Sequence, residues 1–226
     1  MLIVALAAVA WEHRSVFHRS LHTGTTGPAV THEALEPIPI NGTGGPPRGW
    51  VAEPSNGVRE LTPVPGGVDM RLVLSDYDQW QSVPIWTPGP WLVVHGDVQF
   101  VAGGSDNAIG LGCADQTTER QIGFHVHDDR TWTLVYSPPG DGTSQDVDSG
   151  YSSAIRPTTG ANLLTVSCVS PSTPGAGTHV MASVNGVTVV NDLVAVPSTA
   201  LFPTIDQCSC YGVDTGQFTD LTVNPS

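Results

Sequence analysis

The sequence lacks lysine altogether, and all eight of its basic residues are arginines. Its 21 Asp and Glu residues therefore leave a formal net charge of −13 at pH 7. A chain this acidic repels phosphate backbones and anionic lipid headgroups. We therefore expect no nucleic-acid partner and no binding to acidic membrane surfaces.

Cysteine is scarce, and none of the four cysteines belongs to a CxxC pair. Zinc-ribbon and thioredoxin-type sites are therefore unsupported, whereas an even number of cysteines suits disulfides in an exported protein. The cysteines are Cys113, Cys168, Cys208 and Cys210. They predict an extracellular or cell-surface location.

The apolar run at the amino terminus, residues 2–11, is about half as long as a membrane-spanning helix requires. It ends in Ala8-Val9-Ala10, a small-residue pattern of the kind that signal peptidase cleaves, but no basic residue precedes it. We interpret residues 1–11 as the remnant of a signal peptide or membrane anchor, with an ordinary terminal strand or helix as the alternative. Any membrane association is expected through this segment alone.

Residues 12–68 are rich in Pro, Gly and Thr and hold neither a helical nor a strand period. This composition predicts a disordered N-terminal arm or linker. Over the whole chain, 25 glycines and 19 prolines favour turns and short strands over helices. We expect one all-β domain over residues 69–224, since 39% hydrophobic content suffices for a single core.

Beyond residue 67, apolar residues alternate with other residues in short runs spaced about ten residues apart, which is typical of a β-sandwich or barrel. The clearest runs are 108–113, 121–127, 131–136, 164–168 and 180–184. Asn185-Gly186, between two apolar runs, is the strongest hairpin signal in the chain.

The segment FHVHDDRTW, residues 124–132, holds the densest group of titratable residues. Phe124 and its even-numbered neighbours form the apolar face of a strand, so His125 and His127 point away from the core. Asp128 and Asp129 fall where the chain must turn. We interpret the segment as a β-hairpin whose histidines are dispensable surface residues, with a metal site or an acid/base pair as alternatives.

Five segments, in order, carry a family resemblance: NAIGLGC, ERQIGFHVHDDRTWTLVY, SSAIRPTTGANLLTVSCV, VMASVNGVTVVND and QFTDLTV. Together they resemble the concanavalin A-like lectin/glucanase sandwich modules of bacterial, often actinobacterial, surface proteins and receptor-type kinases. The resemblance covers about residues 69–224. It implies a jelly roll of two antiparallel sheets, displayed outside the cell and usually without catalytic residues.

Cys113 and Cys168 both have the inward parity of their strands, and the resemblance places a cysteine at each point. We therefore predict that they form a disulfide. For Cys208 and Cys210, a strained bridge between near neighbours and a pair of free thiols are both open.

The paired glutamates of the glucanases in this fold class are missing. Their E-x-D-x-x-E strand is absent, and Glu119 is the only glutamate beyond residue 60. G-x-S-x-G, H-E-x-x-H and phosphate-binding glycine loops are absent as well. We expect a protein without catalytic residues; the alternative is a secreted glycan hydrolase with an atypical site built from Asp128, Asp129 and Glu119.

Two further segments suggest ligands. Residues 141–150 place Asp141, Asp146 and Asp148 on a predicted flexible loop, which is either a solvated acidic loop or a weak Ca²⁺ site; no other cofactor is expected. Residues 80–91 contain Trp80, Trp86 and Trp91 among three prolines.

An indole outside the core could stack on a sugar ring, whereas the alternative is that the three tryptophans close the core. The sequence thus predicts an extracellular recognition or sensor module that binds neutral polysaccharide. A structural or adhesion spacer is the remaining alternative.

Overall fold

The structure is a computed structural model that describes residues 36–37, 58–74, 89–102, 107–115, 120–138, 143–157, 160–170, 176–194, 201–208 and 212–224. All of them lie within the unit Glu33–Ser226. The described strands are β1 (Glu36–Pro37), β2 (Val58–Val64), β3 (Gly67–Leu74), β4 (Trp91–Ala102), β5 (Ala108–Asp115), β6 (Gln121–His127), β7 (Thr131–Ser137), β8 (Gln145–Tyr151), β9 (Asn162–Val169), β10 (Thr178–Val184), β11 (Val187–Val194), β12 (Leu201–Cys208) and β13 (Gly212–Asn224).

The strands form two antiparallel sheets. One sheet has eight strands, in the order β11-β10-β9-β4-β13-β3-β2, with β1 paired to β13. The other has five strands, in the order β12-β5-β6-β7-β8. The predicted all-β, two-sheet antiparallel sandwich is confirmed. Within the described ranges, no helix is long and apolar enough to cross a membrane.

The hydrophobic core lies between the sheets because successive side chains of a strand point to opposite faces. In β4 the buried positions alternate with partly exposed ones, so Leu92, Val94 and Val98 enter the core. In the opposite sheet, Phe124 and Leu134 are fully buried in the same cluster. The alternation seen in the sequence therefore identifies the core face of β6 and β7.

Two predicted hairpins are present. Asn185 and Gly186 both have positive φ, of 50° and 81°, which is the geometry that a two-residue turn with a matching twist requires. The hairpin of β6 and β7 turns through Asp128 and Asp129, and the Asp129 carboxylate accepts hydrogen bonds from the Thr131 amide and hydroxyl. The FHVHDDRTW segment is thus a hairpin.

Strands β1, β2 and β8 lie where the sequence predicted none. Residues 36–37 and 58–64 form strands inside the predicted linker of residues 12–68, and β3 begins at residue 67, so the sandwich includes residues before 69. The predicted flexible loop at 141–150 is wrong over its second half, because β8 pairs with β7 there. Backbone pairing with a neighbouring strand holds β1, β2 and β8 in the sheets.

A disulfide joins Cys113 of β5 to Cys168 of β9, and therefore links the two sheets. Both cysteines are buried in the core. The predicted pairing is present. The side chain of Cys208 and all of Cys210 lie outside the described part of the structure.

Candidate functional site

Trp91 is the first residue of β4 and has the parity of the outer face of the eight-stranded sheet. It is partly exposed, whereas the next residue, Leu92, is buried in the core. Trp91 is thus placed where its indole can meet a ligand. The other two predicted ligand residues, Trp80 and Trp86, lie outside the described residues.

Trp91 begins a row of four outward side chains that crosses four strands. It pairs with Val169 of β9, Val169 pairs with His179 of β10, and His179 pairs with Leu193 of β11. Strands lie about 4.8 Å apart, so three spacings make this row roughly 14 Å long.

A second row runs beside the first, from Val93 to Ser167 to Met181 to Asn191. The Nε2 of His179 lies 2.8 Å from the Oδ1 of Asn191, so a hydrogen bond joins the two rows. We call these eight residues the Trp91 strip. Its first row is mainly apolar, and its second row carries a hydroxyl and a carboxamide.

The Trp91 strip is unusual in both exposure and charge. Leu193 is 59% exposed, Val169 41% and Met181 39%, so three of the exposed large apolar side chains among the described residues lie in this strip. No aspartate, glutamate or arginine belongs to the strip, although the whole chain carries a net charge of −13. An exposed apolar patch of this kind often marks a binding surface.

The other candidate is the side of the five-stranded sheet that faces away from the core, which we call the polar face. It carries Gly110, Gly112, Gln121, Gly123, His125, His127, Thr133, Thr204 and Asp206. The predicted parity of His125 and His127 is right, but the predicted exposure is wrong for His125, which is only 1% exposed. Alternation shows which face a side chain occupies, but it does not show whether that face is covered.

Three glycines make room for the buried side chains of the polar face. A Cβ at Gly123 would lie 2.5 Å from the imidazole Cε1 of His125, and one at Gly110 would lie 2.6 Å from its Cδ2. A Cβ at Gly112 would lie 2.8 Å from the carboxylate of Asp206. These contacts are too close for any larger residue, so the imidazole and the carboxylate pack directly against the backbone of β5 and β6.

Asp206 is the centre of the polar face. Its Oδ1 accepts a hydrogen bond from the Gln121 side chain, and its Oδ2 accepts one from the Thr204 hydroxyl at 3.1 Å. The same Oδ2 lies 3.8 Å from the Nε2 of His125. Asp206 itself is fully buried.

Burial shifts the two titratable groups in opposite directions. It raises the pKa of Asp206 well above its usual value, and the hydrogen bonds from Thr204 and Gln121 only partly oppose the shift. Burial lowers the pKa of His125 to about 3, and the charge of Asp146 opposes this effect. Both changes have the same cause, because a charged group loses its hydration in the interior.

His127 lies nearer the rim of the polar face, where its Nε2 is 3.0 Å from the Thr133 hydroxyl. Burial, followed by the nearby His125, lowers its pKa. Among the residues that the structure describes, no group of three or more His, Cys, Asp or Glu side chains could hold a metal ion.

Of the predicted carboxylates, Asp128, Asp129 and Asp146 lie close enough to His127 to raise its pKa, against the larger effect of burial. Asp146 and Asp148 lie on the exposed strand β8, and Asp129 is engaged with Thr131 in the hairpin turn. Asp141 and Glu119 lie outside the described residues. The structure does not show these groups together as one catalytic or calcium site.

Sequence reasoning missed Asp206 and Gln121. Thr204 and Asp206 alternate with Pro203 and Ile205, which could have marked β12 as a strand with one polar face. The three glycines on β5 and β6 were a second signal, because glycine inside a strand often marks a close approach by another group. Neither signal shows that the side chains of Gln121, Thr204 and His125 meet at Asp206.

No family model and no curated protein matches the sequence significantly. The fold, however, is shared with solved structures. An alginate lyase from Chlorella virus superimposes with a TM-score of 0.54 at 11% identity, covering 80% of this chain and 94% of its own. The carbohydrate binding module CBM66 from Bacillus subtilis gives 0.51 at 13% identity, covering 78% and 95%.

A galectin-like fold protein of unknown function from Bacillus subtilis gives a TM-score of 0.51 at 12% identity, covering 77% of this chain and 88% of its own. At such low identity these matches establish the fold alone. The chain is therefore a jelly-roll β-sandwich of the kind found in galectin-like, carbohydrate-binding and polysaccharide-lyase structures.

Proposed function

We propose that this chain is an extracellular domain that recognises a neutral polysaccharide through the Trp91 strip. The observation that carries the proposal is the strip itself, an exposed row of apolar side chains without a charged residue in a strongly acidic protein. Sugar rings have apolar faces that pack on an indole, and their hydroxyls bond to groups such as the Asn191 carboxamide.

The net charge of the chain favours neutral glycans over acidic ones as ligands. Polyanions such as alginate are disfavoured because the chain carries a net charge of −13. The buried disulfide supports an oxidising, extracellular location. Display at a cell surface through the N-terminal segment is part of the proposal, as is a contribution from Trp80 and Trp86 to the same ligand.

Calorimetry with a panel of neutral and acidic glycans tests the proposal. We expect weak binding of a neutral glycan by the intact chain, and loss of that binding in Trp91→Ala with an unchanged thermal transition. Trp91→Phe serves as the matched control, because it keeps an aromatic face and should retain part of the affinity. The proposal is wrong if no neutral glycan binds at millimolar concentration, or if Trp91→Ala binds as the intact chain does.

Glycan cleavage is a second candidate function, favoured by one observation. Asp206 and His125 lie 3.8 Å apart, and their pKa values are shifted in opposite directions, as in acid/base pairs of enzymes. Both side chains are buried, so a substrate would reach them only after a structural change. Release of reducing ends in the same glycan panel, abolished by Asp206→Asn, would favour this function over recognition.

A further inference from the structure

The two rows of the Trp91 strip differ in chemistry, and both run across the strands. The first row offers the apolar surfaces of Trp91, Val169 and Leu193, and the second offers the polar groups of Ser167 and Asn191. A ligand that fits both must expose an apolar face along its length and hydroxyls along its edge.

The hydrogen bond between His179 and Asn191 fixes the orientation of the imidazole and of the carboxamide. The Oδ1 of Asn191 is an acceptor only, so the Nε2 of His179 donates to it. The carboxamide nitrogen of Asn191 and the Nδ1 of His179 are then oriented by this bond. The carboxamide nitrogen can then donate to a hydroxyl of a sugar that lies along the second row.

The length of the row excludes a single sugar as the full ligand. Four strands at spacings of about 4.8 Å give a row of roughly 14 Å, which requires an extended oligosaccharide. An equatorially linked chain is an extended ribbon with its apolar faces exposed and its hydroxyls at the edges. An axially linked chain coils, and it would touch a row on a sheet surface over one or two rings only.

We propose that the ligand of the Trp91 strip is an equatorially linked, ribbon-like neutral polysaccharide that lies across strands β4, β9, β10 and β11. This inference rests on the proposed function and specifies its substrate class. Leu193 contacts the end of the ribbon opposite to Trp91, so a chain must span the whole row to gain both contacts.

Cellohexaose and maltohexaose provide a matched test, because both consist of glucose and differ only in their linkage. We expect cellohexaose to bind about tenfold or more tightly than maltohexaose, a difference that corresponds to about 1.4 kcal/mol. Affinity should rise with chain length from the disaccharide until the chain covers the row of roughly 14 Å, and then level off. Chitohexaose and mannohexaose extend the test to other equatorially linked chains.

Leu193→Ala tests the far end of the row, and Val187→Ala is its control. Val187 is also an exposed apolar residue of β11, but it lies outside the strip. We expect Leu193→Ala to weaken cellohexaose binding several-fold and to remove the gain in affinity of the chains that are just long enough to reach Leu193. We expect Val187→Ala to leave the affinity for cellohexaose and its dependence on chain length unchanged.

The outcomes separate the two proposals. If maltohexaose binds as well as cellohexaose, mannohexaose and chitohexaose, or if Leu193→Ala has no effect, the ribbon inference is overturned while glycan recognition stands. If no neutral glycan binds, both are overturned. Self-association of the intact chain that Leu193→Ala abolishes, without glycan binding, would identify the strip as an interface between two copies and would overturn both as well.

Discussion

At the scale of single residues, the polar face shows how a carboxyl group is accommodated in the interior. Asp206 receives two hydrogen bonds from Gln121 and Thr204, and glycine at position 112 leaves space for its carboxylate. The hydrogen bonds favour the charged form, but burial is the larger effect and favours the neutral one. Stability should therefore depend on pH through this residue.

The sign follows from the protons bound in each state. Above about pH 4 the unfolded chain releases the proton of Asp206, whereas the folded chain retains it up to a higher pH. The unfolded state then binds fewer protons, so the stability contribution of Asp206 falls as the pH rises. His125 acts oppositely. Its folded pKa of about 3 lies below the ordinary 6.5, so stability is lost as the pH falls between these values.

Asp206→Asn separates these two effects, since Asn has the same shape and does not titrate. The melting temperature of the variant should rise relative to that of the intact chain as the pH increases from 4 to 8. For a domain of this size, 1 kcal/mol corresponds to roughly 2–4 °C. Melting curves across this range check the prediction. A difference that is constant, or that shrinks as the pH rises, would contradict the raised pKa.

At the scale of elements, the hairpin of β10 and β11 is held by the side chain of its first turn residue. The Asn185 carboxamide donates to the Ala154 carbonyl at 2.7 Å and to the Asn162 side chain at 3.0 Å. Its oxygen accepts from the Leu163 amide at 3.0 Å. The turn is thereby tied to β9 and to the segment that precedes it.

Two substitutions at this position separate backbone strain from side-chain bonding. Asn185→Gly keeps the positive φ and loses the three side-chain bonds, so we expect a loss of about 2–4 kcal/mol in unfolding free energy. Asn185→Ala should cost roughly 1 kcal/mol more, because a Cβ disfavours the left-handed conformation. Denaturant unfolding measures both. Equal stability of Asn185→Gly and the intact chain would show that the side-chain bonds contribute nothing.

The elements also show what the sequence could predict. Strands β5, β6, β7, β9 and β10 have clear apolar alternation, and their core faces were identified from it. Strand β8, with the sequence QDVDSGY, resembles a loop, because Asp, Ser and Gly are poor strand formers. Its pairing with β7 is a tertiary contact that local sequence does not encode. Residues 58–64 were likewise not predicted as a strand, because their pairing is also a tertiary contact.

The candidate sites were predictable to different degrees. Trp91 was identified from its residue type, but the seven other residues of the strip belong to four strands that meet only through the sheet order. The burial of His125 was not predictable either, because period-two alternation cannot show that the polar face is covered. The Cys113–Cys168 disulfide was predicted because both cysteines have inward parity and the family resemblance places a cysteine at each point.

At the scale of the whole molecule, the sandwich separates two kinds of surface. The polar face of the five-stranded sheet is largely buried and holds titratable groups, whereas the Trp91 strip of the eight-stranded sheet is exposed and uncharged. The disulfide fixes the two sheets to each other through the core. If the strip binds a glycan as proposed, the side chains that meet it already lie side by side on paired strands, which keeps the entropic cost of binding low.

The central claim is that the Trp91 strip, and not the polar face, binds the glycan. The position of the bound ligand can be measured directly. A titration of the isotope-labelled chain with its best neutral oligosaccharide, followed by amide NMR shifts, locates the bound ligand. We predict that the largest shifts fall on Trp91, Val169, His179 and Leu193, with little change at Gln121 and His125. Largest shifts at Gln121, His125 and Asp206, with the Trp91 strip unchanged, would contradict the claim and place the ligand on the polar face.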